Sequence, residues 1–282
     1  MSFHFRTFLT GLIAIPLHCY GAGTVLDEIV VTATKGETLL GNTAASIGII
    51  DESVLRRVHH THINEVLQRV PGVWISRGNG QEHLTAIRSP VLTGAGSCGA
   101  FVMAQDGISL RSPGFCNVNE LFEATTELAS RIEVVRGPDS SIYGSNAMHG
   151  VVNILTPEPV AGHREVEMES GPNDYYRARL ALSSDTLRLD VSGTTDGGYK
   201  DESGFDQQKM LLKHRAVTSE REITTTFSYT NLNQETAGII RGHDSYKDSG
   251  KKRVNPNPEA YQDTHYVSLV SVIDQRPDHS SL

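Results

Sequence analysis

Arg131-Ile132-Glu133-Val134-Val135-Arg136-Gly137-Pro138, then Ser141-Ile142-Tyr143-Gly144-Ser145-Asn146-Ala147, then Gly150-Val151-Val152-Asn153-Ile154-Leu155-Thr156, are the runs on which the fold turns. The first alternates charged with apolar residues, the mark of a strand, and the alternation is read as placing Arg131, Glu133 and Arg136 on one face. The third run is a continuous apolar strand.

Working upstream, residues 38–157 read as mixed α/β. Residues 46–50 form a short strand, and Asp51 caps a helix through Val54 and Leu55. Ile63, Val66, Leu67 and Val70 fall on one helical face, stopped by Pro71-Gly72. Val73-Trp74-Ile75 and Ala100-Phe101-Val102-Met103 read as buried strands. Asp106-Gly107 is a turn that returns the chain through Ile108-Ser109-Leu110. A segment of about 120 residues suits one compact domain.

Downstream of residue 162 the pattern changes to period two. Val166 and Met168 alternate with Glu165, Glu167 and Glu169; Leu187, Leu189 and Val191 alternate with Arg188, Asp190 and Ser192. Ile223, Thr225, Phe227 and Tyr229 continue the pattern, with weaker cases near 209–214 and 265–273. About six such strands are expected, joined by alternating short and long connections, as in an antiparallel membrane barrel. A soluble sandwich would alternate too.

The composition of the 282 residues is 38% hydrophobic and 21% charged, with a net charge of -8. That argues against a nucleic-acid binder, which carries a basic stripe. Mean hydropathy is -0.27, which excludes a polytopic helical membrane protein but not a β-barrel. Residues 1–23 read as a secretory signal, with Arg6, an apolar core over 8–17 and small residues at Tyr20-Gly21-Ala22-Gly23. Removing it takes Cys19 and leaves Cys98 and Cys116, an even count that favours a disulfide worth roughly 3 kcal/mol; two separate buried thiols are the alternative.

Other patterns carry less. Gly94-Ala95-Gly96-Ser97-Cys98-Gly99 matches a dinucleotide fingerprint, but a strand follows where a helix N-terminus is needed. His59-His60 and His62 read as a solvated helix surface, and no metal or cofactor is expected. Ser140-Ser141 lacks a paired base, so no catalytic residue is assigned and no enzyme is expected.

The three opening runs resemble the end of the plug domain of TonB-dependent outer-membrane receptors. Leu67-Gln68-Arg69-Val70-Pro71-Gly72-Val73, Ala86-Ile87-Arg88 and Asp106-Gly107-Ile108-Ser109-Leu110 are similar to earlier plug motifs in the same order. Glu28-Ile29-Val30-Val31-Thr32-Ala33 looks like the TonB box. Ser89 stands where the family usually has Gly, and Met148-His149 where small residues are common.

The resemblance implies an α+β plug followed by antiparallel transmembrane β-barrel strands. The divisions are a signal at 1–23, box and linker at 24–37, plug at 38–157 and the first part of a barrel at 158–282. It implies uptake of a scarce ligand, most often a ferric siderophore, energised by TonB and its inner-membrane complex through strand addition at the box. The implied location is the outer membrane of a Gram-negative bacterium, in contact with its lipid. Implied plug-motif positions are Pro71, Gly72, Arg88, Asp106, Gly107, Arg131, Glu133, Arg136, Gly137, Pro138, Tyr143, Gly144 and Asn153. Arg131, Glu133 and Arg136 are expected to pair with the barrel wall. Ligand-contact candidates by position are Arg77, Asn79, Arg111 and Phe115. Alternatives are a transport-inactive remnant that binds only ligand or TonB, and an exported soluble β-rich binding protein. Six strands cannot close around a plug, so a fragment, early stop or frameshift just past Ile273 is expected.

Overall fold

The computed structural model describes residues 30–31, 36, 38–78, 80–92, 100–111 and 120–275. Two strands open it: β1 (Val30–Val31) pairs antiparallel with β2 (Thr38–Leu39). Val30 and Val31 of the box segment thus have partners nine and seven residues on, which the sequence did not suggest.

An α+β unit follows. β3 (Ile47–Asp51) runs into α1 (Glu52–Val58), where Asp51 caps by accepting from Val54 N at 3.0 Å. His59 ends the helix in the left-handed conformation (φ 46°). α2 (Asn64–Leu67) is a single turn, shorter than the apolar spacing suggested, although Ile63, Val66, Leu67 and Val70 are all buried. A hairpin, β4 (Val73–Arg77) with β5 (His83–Ile87), comes next. Trp74 is 57% exposed rather than buried, because alternation turns it away from Val73 and Ile75.

β6 (Phe101–Gln105), β7 (Ile108–Ser109), β8 (Arg131–Arg136) and β9 (Gly150–Leu155) join β3 in one sheet of order β3-β8-β9-β6-β7. β6 and β9 are parallel; the other pairs are antiparallel. The short helix α3 (Ser140–Tyr143) bridges β8 and β9. Ile50, Leu55, Ile132, Val134, Val152 and Ile154 pack the main core. A second cluster on Val135, Val151, Val102, Ala104 and Ile47 fills the opposite face.

This register corrects the reading of β8. Positions 131, 133 and 135 share one face and 132, 134 and 136 the other, so Arg136 lies opposite Glu133.

The remaining strands form a separate six-stranded antiparallel sheet in chain order: β10 (Arg164–Gly171), β11 (Tyr175–Ser183), β12 (Leu187–Asp196), β13 (Phe205–Val217), β14 (Arg221–Glu235) and β15 (Tyr261–Gln275). The segments that alternated weakly belong to two of the longest strands, β13 and β15. Connections at one end are short, and those at the other include residues 236–260. The outward face is apolar: Val166 is 68% and Met168 81% exposed, and Val267, Leu269 and Ile273 follow on β15. The inward face is polar and covers the α+β unit. β10 and β15 are the edges, so the sheet is open.

Gly150 has no room for a side chain: a Cβ there would lie 2.5 Å from the Val135 carbonyl oxygen and 3.0 Å from Ile87. Gly150→Ala should therefore lower stability by about 1–3 kcal/mol, against about 1 kcal/mol for loss of the Asp51 cap. Urea unfolding followed by the fluorescence of Trp74, the sole tryptophan, measures both.

Candidate plug–wall interface

The α+β unit meets the sheet through polar side chains. Glu127, in the turn before β8, sits nine-tenths buried and 2.9 Å from Lys209 Nζ of β13. Lys209 also donates to the Ala124 carbonyl at 2.6 Å, and Ser192 of β12 donates to Glu127 at 3.2 Å. Burial alone would raise the Glu127 pKa; the charges of Lys209 and Arg177 outweigh it and hold the carboxyl down at about 2.

Further along the boundary, Arg56 of α1 forks onto Glu165 of β10 at 2.7 and 2.9 Å. Arg177 of β11 donates to the His60 carbonyl at 2.7 Å. Lys213 of β13 reaches Asp106 at 3.4 Å, Glu158 at 2.8 Å and the Thr156 carbonyl at 3.3 Å. β14 contributes three neutral contacts: Ser228 accepts from Gln105 (2.7 Å), Thr230 donates to the Glu123 carbonyl (2.8 Å), and Gln234 accepts from Gln81 N (2.8 Å). At Gly80 (φ 52°) a Cβ would fall 2.5 Å from Gln234 Oε1, so glycine is what lets the hairpin tip approach the wall.

A family model described as TonB-dependent Receptor Plug Domain matches residues 40–151. The chain carries a TonB-dependent receptor plug domain. Solved receptors extend the likeness of fold to the wall strands. The unliganded ferric citrate transporter FecA superposes with a TM-score of 0.69 at 17% identity, over 84% of this chain and 38% of its own. Pseudomonas aeruginosa FpvA bound to heterologous pyoverdines gives 0.67 at 14% identity, over 89% and 34%. The ferric yersiniabactin uptake receptor FyuA of Yersinia pestis gives 0.65 at 18% identity, over 83% and 39%. The chain thus spans between about a third and two fifths of the length of these receptors.

The plug-motif residues converge in three places, each built by backbone chemistry. At one end of the sheet, Gly72 (φ 84°) and Arg88 (φ 50°) are both left-handed. Arg88 N donates to the Gly72 carbonyl at 2.8 Å, its guanidinium reaches the Arg136 carbonyl at 3.3 Å, and Arg136 donates to the Pro71 carbonyl at 2.9 Å. At the other end, Asp106 and Gly107 are the two positive-φ residues of the β6–β7 turn. Asp106 accepts from Thr156 N and Oγ1 at 2.8 and 2.5 Å, and Asn153 accepts from Gly107 N at 2.9 Å. The third place is the β8–β9 crossing. Gly137 (φ 137°) and Gly144 (φ 82°) bracket Pro138 and α3, and burial pushes the Tyr143 hydroxyl up to about 12.

Arg131 pairs with the fully buried Glu133 of its own strand at 2.7 Å. Where pairing with the wall was expected, Arg131 and Glu133 pair inside the plug and Arg136 meets the Pro71 carbonyl. β8 lies between β3 and β9, while Arg56, Glu127 and Asp106 stand outside the sheet's interior and face the wall. Of the ligand candidates, Arg77 stands exposed at the tip of β4, 3.8 Å from Glu65. Arg111 folds back towards the Phe101 carbonyl at 3.4 Å. Asn79, Phe115, Cys98, Cys116, the glycine-rich 94–99 loop, the signal and box residues Glu28, Ile29, Thr32 and Ala33 lie outside the described residues.

The histidines overturn the solvated reading. His60 is 4% and His62 0% exposed, and His83 is buried beside them, its ring edge-on to His62 with centroids 6.0 Å apart. Burial pushes all three down to about 4. An unfolded histidine titrates near 6.5, so the stability held by the neutral rings is complete above that pH and is lost as pH falls towards 4. Urea midpoints followed by Trp74 should drop across this window, by about 1–3 kcal/mol per ring, and His83→Gln should flatten the profile. Lys209→Met leaves Glu127 buried without its nearest cation. It should cost about 3–5 kcal/mol, partly restored by Glu127→Gln in the same chain, as the same melts would read.

Proposed function

We propose that this chain is the plug (38–157) and first wall strands (158–282) of a Gram-negative outer-membrane receptor for a scarce ligand, a ferric siderophore, energised by TonB. On this reading residues 1–23 direct export and residues 28–33 bind TonB. The observation that carries it is the polar plug–wall boundary. Ion pairs and hydrogen bonds there can be exchanged for water, whereas a dry apolar seam would resist separation. A plug that must shift inside a wall needs that property. The three solved receptors, of ferric citrate, pyoverdine and ferric yersiniabactin, support the ligand class.

Strand addition suits the box, because Val30 and Val31 already take up extended ladder pairing with Leu39 and Thr38. Val31→Pro removes a backbone donor from that segment. Binding of the purified TonB periplasmic domain should fall by more than about tenfold and TonB-dependent uptake should be lost, with ligand binding unchanged. Undiminished TonB binding and uptake by the variant would sink the role assigned to the box.

A further inference from the structure

His59, which caps α1, projects its ring onto the first wall strand. Its Nδ1 lies 2.9 Å from Glu167 Oε1 and 2.8 Å from Glu169 Oε1. The two carboxylates are side by side because residues two apart on β10 share its inward face. One ring nitrogen carries at most one proton, and one proton cannot serve two carboxylates at full strength. A single divalent ion between the three donors would satisfy all of them. Their ligand atoms lie within 4.8 Å of one another, close to the spread required for metal bonds of about 2.0–2.2 Å.

The surroundings fit such a site. Tyr175 donates to Glu169 Oε2 at 2.9 Å, which turns Oε1 towards His59, the kind of outer contact that orients a metal ligand. Arg56 engages Glu165 and so sets it apart from the donor set. The three side chains keep 40, 26 and 20% of their surface, so an ion can enter and water can complete its coordination. Arg177 approaches Glu169 to 3.6 Å, and Arg179 pairs in register with Glu167. Their charge weakens cation binding, which sets the expected affinity on the order of micromolar.

We infer that His59, Glu167 and Glu169 bind one divalent transition-metal ion of the Zn²⁺ class, fastening the end of α1 to the first wall strand. Imidazole with two carboxylates suits such an ion better than the all-oxygen set preferred by Ca²⁺ or Mg²⁺. The site is independent of whatever ligand the receptor carries.

Calorimetric titration of the full chain in detergent with Zn²⁺ tests this. One saturable equivalent is expected, weakened at least about tenfold by His59→Ala and by Glu167→Gln, and held within about twofold by Glu165→Gln. Zn²⁺ should also raise the urea midpoint read by Trp74 in the parent chain and not in His59→Ala, since an ion that binds only the folded state stabilises it. Trp74 fluorescence checks that each variant is folded. Absence of saturable Zn²⁺ binding overturns the inference, and so does binding that survives both substitutions.

Discussion

The contact between Glu127 and Lys209 is the constraint to which the rest of the boundary answers. Both side chains are withdrawn from water, and a charge so placed is costly unless paired and hydrogen-bonded. Ser192, the Ala124 carbonyl and Arg177 supply the remaining partners, from two wall strands and the plug itself. Meeting those demands fixes where the turn before β8 sits against β11, β12 and β13. That in turn sets Arg56 against Glu165 and Asp106 against Lys213. The plug is therefore located mainly by charge complementarity, with apolar contact to the wall where Phe122 meets Phe205 and Leu232 and where Tyr266 packs against the main core.

Within the plug, the motif residues act mostly through the backbone. Gly72, Gly107, Gly137 and Gly144 sit at positive φ, where a Cβ is costly. Asp106, Asn153 and Arg88 satisfy backbone groups that these turns would leave exposed. Motifs far apart in the chain thus describe a few tight crossings that hold one five-stranded sheet. Of the motif residues, Asp106 also meets the wall, through Lys213, while most of the contact with the wall falls to residues outside those motifs.

The alternation of Glu165, Glu167 and Glu169 with Val166 and Met168 was sufficient to read a strand with one polar and one apolar face. Period two encodes that without reference to any partner. The same rule applied to β8 would have separated Arg136 from Glu133, and the structure makes that separation plain. The buried histidines were illegible for a different reason. Whether His60 and His62 meet water depends on Arg177, Thr126 and Glu82, which arrive from elsewhere in the chain. The same holds for Trp74, whose exposure depends on which face of its hairpin is covered.

Local sequence by itself determined most of the strands, the main turns and the order of plug and wall, because periodicity, glycine and proline act over a few residues; β2 and β5 were not legible in it. It also determined the inward and outward faces of the six wall strands. Only the tertiary structure decided which charges meet: Lys209 with Glu127, Arg56 with Glu165, His59 with Glu167 and Glu169. The reason is physical. An ion pair between residues 80 to 110 positions apart leaves no periodic trace in either segment, and its partners are chosen by how the plug is seated in the sheet.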